Sequence, residues 1–260
     1  AAAEPGVALQ ILTSGTTGPP KRQAIRTHVL ERTVFSVTAG EKADPDSPPE
    51  FAYWQFGGIG VCQLIAGVYN GRRIAMLERF SVDAWVDAIK RHRVARSGVQ
   101  PAVIRMLLDA EVPRSDLASL EFLISASGPL DPETRDEFEG RYGIPIRLAY
   151  GATEFAGSLC AWTPDDLRDF GDSKRNSVGR ALPDTELRIV DPQTGAELPA
   201  GQQGLLEAKV GPLGPDWIRT TDLAAVDADG FVTLYGRADG AINRGGFKVL
   251  PETVRRVLIS

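Results

Sequence analysis

Along the first 155 residues, short, mainly apolar runs alternate with stretches whose apolar positions follow helical spacing. Val7 to Leu12 has the length of a buried strand and leads directly into Thr13-Ser14-Gly15-Thr16-Thr17-Gly18-Pro19-Pro20-Lys21, too rich in glycine and proline for regular structure. Ser81 stands where an N-cap belongs, ahead of Val82, Trp85, Val86 and Ile89 on one helical face, with Asp83, Asp87, Lys90 and Arg91 on the other. Val94 to Val99 and Leu120 to Ile124 read as strands. Asp131 and Pro132 give the cap and first-turn signature of a helix running to Tyr142, and Ile146 to Tyr150 reads as a third strand. Strands alternating with amphipathic helices imply an α/β fold with a mostly parallel sheet flanked by helices.

The pattern changes in the second half. Val178 to Val190, Gly204 to Val210 and Phe231 to Tyr235 are strand-like runs separated by turns such as Asp227-Ala228-Asp229-Gly230, the pattern of an antiparallel sheet. Gly211-Pro212-Leu213-Gly214-Pro215 is a loop between two of them. From Pro251, Val254, Val257 and Leu258 begin a helix that stops after little more than two turns. The expected organisation is an α/β subdomain over 1–175 that holds the Thr13–Lys21 loop, a smaller antiparallel, barrel-like subdomain over 176–237, and a hinge and the start of a further lid over 238–260.

Bulk properties narrow the classes of function. At 260 residues and 43% hydrophobic composition the chain can bury a substantial core. Its net charge of −5, from 29 basic and 34 acidic residues, is dispersed; no basic face points to nucleic acid and no polybasic run to a membrane surface. The longest apolar run, Phe56 to Tyr69, is broken by Gln63 and glycines and falls short of the roughly 20 residues that span a bilayer. Cys62 and Cys160 lack CxxC spacing, which argues against structural zinc and fits core thiols in a reduced cytoplasmic protein. His28 and His92 have no companions and read as structural or exposed. Ala1-Ala2-Ala3 has none of the features of a secretory signal.

The strongest chemical signal is the loop. Its hydroxyls and glycines offer donors to phosphate oxygens without obstruction, and Lys21 adds a mobile positive charge. It is not a Walker loop, since Pro20 precedes Lys21 and Arg22 follows it, leaving no Gly-Lys-Ser/Thr. An ordinary surface loop can share this composition.

TSGTTGPPK closely resembles the phosphate loop of the adenylate-forming superfamily: acyl-CoA and aryl-CoA synthetases, peptide-synthetase adenylation domains and luciferases. Further similarities follow in family order. Ser125-Ala126-Ser127-Gly128-Pro129-Leu130 resembles the small-residue turn beside the adenine and acyl pockets, and Tyr150-Gly151-Ala152-Thr153-Glu154 the aromatic-Gly-x-Thr-Glu motif. Ser177-Val178-Gly179-Arg180 with Leu187 to Asp191 is similar to the entry of the barrel-like subdomain. Thr221-Asp222 and Gly236-Arg237-Ala238-Asp239 resemble the ribose clamp and the interdomain hinge. The resemblance covers essentially the whole chain but only the middle of a family member, which implies an upstream half missing before Val7 and a lid missing after Ser260.

It implies an acid–thiol ligase that converts a carboxylic acid and ATP to an acyl-adenylate and then, with coenzyme A, to a thioester and AMP. Fatty-acid metabolism is one context for such ligases. Thr13, Ser14, Gly15, Thr16, Thr17, Gly18, Ser127 and Gly128 are implied in nucleotide binding, with Lys21, Thr153 and Glu154 catalytic and Glu154 also holding Mg2+. Tyr150 can offer a ring face to adenine while Gly151 admits the ligand to the backbone; the alternative for Tyr150 is a core tyrosine. Asp222 suits the ribose hydroxyls and Arg237 the same sugar or the phosphate; alone, either would be half of a surface ion pair. Asp239 matches the hinge, and Arg244-Gly245-Gly246 a loop that meets the thiol acceptor. The pattern departs at Arg22, where glycine is common, and at Gln55-Phe56-Gly57-Gly58, which leaves the acyl gate open to question. Gly57 stands where amino-acid-activating relatives carry an aspartate, which disfavours the alternative of an adenylation domain serving a carrier protein. A third alternative is an inactive nucleotide-binding fragment, since the family's lid lysine lies beyond Ser260. Partners expected are the acid, coenzyme A and either a second copy or an upstream fragment.

Overall fold

The computed structural model describes residues 5–13, 21–38, 44, 46–52, 58–152, 155, 157–238, 240, 242–244 and 247–249. They fall into two compact units: residues 1–11 with 24–147, and residues 12–23 with 148–260. The chain opens with strands β1 (Val7–Thr13) and β2 (Lys21–Arg26), which pair in a two-stranded sheet. The end of the expected loop at Lys21 is therefore the start of a strand, and residues 14–20 lie outside the described residues.

The first unit continues through α1 (Thr27–Thr38), β3 (Glu50–Ala52), α2 (Gly58–Tyr69), β4 (Ile74–Met76), α3 (Val82–His92), β5 (Arg96–Val99), α4 (Pro101–Asp109), β6 (Phe122–Ser125), α5 (Pro132–Tyr142) and β7 (Ile146–Leu148). The sheet order is β4-β3-β5-β6-β7, with β3/β4, β3/β5 and β5/β6 parallel, as the alternating pattern implies. Local sequence sets the helix ends. The Ser81 hydroxyl accepts the Ala84 N–H at 3.2 Å, and the Asp131 carboxylate accepts the Thr134 N–H at 3.0 Å with Pro132 in the first turn. Trp85, Ile89, Ile104, Leu107, Leu123 and Phe138 are fully buried, and Trp85 meets Phe51 edge-on at 6.3 Å. Cys62 is buried too, and burial pushes its thiol up to about 11.

The expected strand Ile146 to Tyr150 divides. Its first half is β7, and Tyr150 instead begins β8 (Tyr150–Ala152), which pairs antiparallel with β9 (Gly157–Ala161). A five-residue run, Ile146-Arg147-Leu148-Ala149-Tyr150, gives no sign of where a chain changes sheets. After α6 (Pro164–Phe170), begun by a Thr163–Asp166 capping box, come β10 (Arg180–Ala181), β11 (Thr185–Val190), β12 (Gly204–Val210), β13 (Ile218–Val226) and β14 (Val232–Arg237). Two antiparallel sheets result, β10-β9-β8 and β11-β12-β13-β14. A bridge between Arg180 and Phe231 and a 2.7 Å bond from the Ser177 hydroxyl to the Val232 carbonyl link them. They share a core of Tyr150, Phe155, Leu159, Cys160, Leu206, Val210 and Val232 among others. A last hairpin, β15 (Ile242–Arg244) with β16 (Phe247–Val249), pairs Arg244 with Phe247. Gly245 and Gly246 and the expected helix after Pro251 lie outside the described residues. No helix among the described residues is long and apolar enough to cross a membrane.

On the four-stranded sheet, Glu207 of β12 sits between its cross-strand neighbours Arg188 and Arg219, at 2.8 and 2.7 Å, and is only 4% exposed. Burial alone would raise its carboxyl; the bonds from Arg219 and Arg188 outweigh it and hold the group below its ordinary value of 4.5. A depressed native value contributes stability that is present above the unfolded value and lost as pH falls through the native one. Chemical denaturation of the chain should therefore show stability falling with acid below pH about 4. Glu207→Gln should cost about 1–3 kcal/mol at pH 7 and flatten that acid limb.

Candidate active site

The polar centre of the second unit is the carboxylate of Asp222, on β13. Its Oδ2 accepts the Tyr150 hydroxyl at 2.6 Å, and its Oδ1 faces the Arg237 guanidinium at 3.4 Å. The three residues come from β8, β13 and β14, and Asp222 and Arg237 are direct cross-strand partners. Sequence features just beside them set this geometry. The ladder shifts register between Leu223 and Ala224, and opposite Leu223 stands Gly236 at φ 117, a conformation that strongly favours glycine. The Thr220 hydroxyl donates to the Leu206 carbonyl at 2.8 Å and accepts the Asp222 N–H at 3.0 Å, fixing the backbone of β13 just ahead of the register shift. The Asp222 and Arg237 side chains are 20% and 14% exposed, so both still reach the surface.

Tyr150 itself is 8% exposed and packed in the shared core. Of the two roles open to it in the sequence, the core tyrosine is the one its burial matches, with the hydroxyl as its polar tip. Burial first, then the adjoining Asp222 carboxylate, pushes its phenol far above the ordinary range. Gly151 is required by neighbouring backbone: a Cβ there would stand 2.3 Å from the Gly157 carbonyl oxygen of β9.

In the first unit, the turn after β6 puts Ser127 in a left-handed conformation at φ 70, ahead of Gly128. Ser125, at the carboxyl end of β6, is 2% exposed and its hydroxyl has no hydrogen-bond partner among the described residues. The carboxyl ends of strands are where open α/β sheets receive ligands. Ser125 belongs to the turn recognised in the sequence, but only the unsatisfied buried hydroxyl marks it out. Thr13 ends β1 and Lys21 begins β2, both described by backbone alone. Ser14, Gly15, Thr16, Thr17, Gly18, Gly57, Thr153, Glu154 and Asp239 lie outside the described residues. Arg180 is a structural residue: it pairs with Asp166 at 2.8 Å and lies over the Phe231 ring at 4.4 Å. Among the described residues, no group of three or more His, Cys, Asp or Glu is placed to hold a metal ion.

Comparison with known proteins supplies the context for this geometry. The sequence pattern of the AMP-binding enzyme family matches residues 2–210. The chain is 30% identical over 278 residues to 4-coumarate–CoA ligase 2 of Oryza sativa subsp. japonica, covering 95% of this chain and 48% of the relative. It is 27% identical to 4-coumarate–CoA ligase-like 9 of Arabidopsis thaliana, covering 96% and 48%. Among solved structures, the amide bond synthetase McbA of Marinactinospora thermotolerans superposes with a TM-score of 0.82 at 27% identity, covering 97% of this chain and 53% of that one. ATP-bound MatB of Rhodopseudomonas palustris gives 0.78 at 25% identity, covering 96% and 52%. The chain spans about half the length of the curated relatives it matches.

The Tyr150–Asp222 bond has a clear signature in alkali. With the native phenol raised, its contribution is complete below the unfolded value of about 10 and is lost as pH climbs beyond it. In an absorbance titration of tyrosinate, Tyr150→Phe should leave the native-state signal unchanged and reduce only the amplitude released on unfolding. At neutral pH the same substitution should cost about 0.5–1.5 kcal/mol, the net worth of one hydrogen bond. Ionisation of Tyr150 near pH 10 in the folded chain would contradict the assignment.

Proposed function

Given that the chain belongs to the AMP-binding enzyme family, we propose that the protein activates a carboxylic acid with ATP and passes the acyl group to the thiol of coenzyme A. The observation that carries this reading is the Asp222–Arg237 pair, held from the core side by the Tyr150 hydroxyl; the family resemblance assigns Asp222 to the ribose hydroxyls and Arg237 to the same sugar or the phosphate. A carboxylate with accepting capacity left over, beside a fixed guanidinium, suits the two hydroxyls of a ribose and the phosphate ester next to them. CoA-ligase relatives over nearly the whole chain support the thioester product.

In the first step a carboxylate oxygen of the acid attacks the α-phosphorus of ATP, the bond to the bridging oxygen breaks, and pyrophosphate departs with its electron pair. In the second, the thiol sulfur attacks the acyl carbon, the thiol proton is lost, and AMP leaves. Asp222 and Arg237 hold the nucleoside so that its α-phosphate is presented in one orientation, and Tyr150 keeps the Asp222 carboxylate from turning away. The residues proposed for the phosphates are the loop from Thr13 to Gly18 with Lys21, Thr153 and Glu154; Mg2+ bound by Glu154 would neutralise phosphate charge. Ser127 and Gly128 border the adenine, and Asp239 serves as the hinge. The names of the relatives favour an aryl-substituted acid over a fatty acid. The amide bond synthetase among the solved structures gives a second reading, in which an amine takes the acyl group from the same adenylate.

The test is pyrophosphate exchange into ATP with the full-length protein. Exchange should require a carboxylic acid and be suppressed in Glu154→Gln. Asp222→Ala should weaken ATP binding, measured by calorimetry, by about 1–3 kcal/mol. Unchanged ATP affinity in Asp222→Ala would remove the ribose assignment. Exchange driven by amino acids alone would favour the peptide-synthetase alternative, and exchange with no acid present would overturn acid activation.

A further inference from the structure

A cavity of about 560 Å³ opens in the first unit beside the start of β4 and the end of α3, lined by Asp46, Pro49, Arg73, Arg91, His92 and Arg93 among others. It lies at the amino end of β4, since Arg73 immediately precedes that strand, and so at the opposite sheet edge from Ser125 and the turn after β6. Three arginines and a histidine line it with a single aspartate, in a chain whose overall charge is negative.

The basic end of α3 has an ordinary explanation that covers only part of this. Lys90, Arg91 and His92 occupy the last turn, where cations oppose the partial negative charge of the helix terminus, and Arg91 is already paired with Asp87. Arg73 comes from another segment and reaches the Ser47 carbonyl. Arg93 lies beyond the helix at φ 51, where glycine is the usual occupant. Among the described residues, neither the Arg93 guanidinium nor the His92 imidazole has a hydrogen-bond or ion-pair partner. An exposed guanidinium and an exposed imidazole without partners among these residues, with the Arg73 guanidinium from a separate segment beside them, leave donors available to a ligand at this surface.

We propose that this cavity binds a phosphorylated small molecule of nucleotide size, at a site separate from the one proposed for ATP. Guanidinium groups match the oxygens of a phosphate, and a volume of 560 Å³ is far more than one phosphate fills and within the range of about 300–1,000 Å³ typical of small-molecule sites. Pro49, Ile74 and Ala75 give part of the lining an apolar surface for the remainder of the ligand, and Asp46 can accept from a hydroxyl or amino group on it.

The experiment uses inorganic pyrophosphate as the probe and His92 as a local reporter. Two-dimensional NMR of the imidazole groups distinguishes His92 from His28, the only other histidine, by comparison with His92→Gln. At fixed pH and ionic strength, pyrophosphate should shift the His92 signals saturably. Arg73→Ala and Arg93→Ala, confirmed as folded by circular dichroism, should each raise the half-saturation concentration about tenfold, and the double variant should abolish saturation. Shifts that grow linearly, that sulfate reproduces at the same concentration, or that survive both substitutions would overturn the proposal. Saturation by an acidic peptide but not by pyrophosphate would also overturn it and identify a protein-docking surface. Asp222→Ala should leave the His92 response unchanged, so failure here is separate from failure of the ATP site.

Discussion

The second unit is organised around one carboxylate that sheet pairing alone would not require. Asp222 sits in β13 of the four-stranded sheet, yet the hydroxyl it binds belongs to Tyr150 in β8 of the three-stranded sheet. The bond therefore ties two sheets through a polar contact set into a largely apolar core. A buried phenol without an acceptor would carry a desolvation cost of about 1–3 kcal/mol, so the position of Tyr150 fixes where a carboxylate must stand. Arg237 then offsets the charge from the neighbouring strand, and the bulge after Leu223 with Gly236 at φ 117 lets β13 and β14 bring the two side chains together.

Much of this was visible in the sequence where local chemistry decides structure. Ser81 and Asp131 cap helices because their side chains reach backbone N–H groups two or three residues on, which depends on nothing distant. The run from Gly204 to Val210 became a strand with Leu206, Ala208 and Val210 turned to the core, as alternation demands. The sequence reading gave no span for β13, whose Thr220, Thr221 and Asp222 interrupt its apolar positions; pairing with β12 and β14 holds it straight. The short strands β3 and β4 have three residues each, too few for any periodicity, and exist through their neighbours. The division of the run around Leu148 between two sheets was hidden for the same reason.

Site chemistry was legible to a different depth. Asp222 and Arg237, fifteen residues apart, meet as cross-strand partners. The family resemblance assigns Asp222 to the ribose hydroxyls and Arg237 to the same sugar or the phosphate, which spacing alone does not. The Tyr150 hydroxyl on Asp222 was not foreseen, because a bond across 72 residues is a product of tertiary packing alone. Gly151 is likewise constrained by tertiary packing, since a Cβ there would meet the backbone of β9.

Two acidic residues in one unit differ in burial and in how fully their charge is matched. Glu207 is 4% exposed, and each of its oxygens accepts from an arginine, at 2.8 and 2.7 Å. Its charge is matched twice, and its accessible surface is nearly gone. Asp222 has a 2.6 Å bond from Tyr150 on one oxygen, but the Arg237 contact on the other is 3.4 Å, and its side chain is 20% exposed. A carboxylate can accept about four hydrogen bonds, so Asp222 keeps lone pairs facing accessible space while its orientation is held from the core side. Displacing one long contact costs less than breaking two short ones. Glu207 could accept from a further donor only by leaving a guanidinium group unmatched, whereas Asp222 retains accepting capacity on its exposed side.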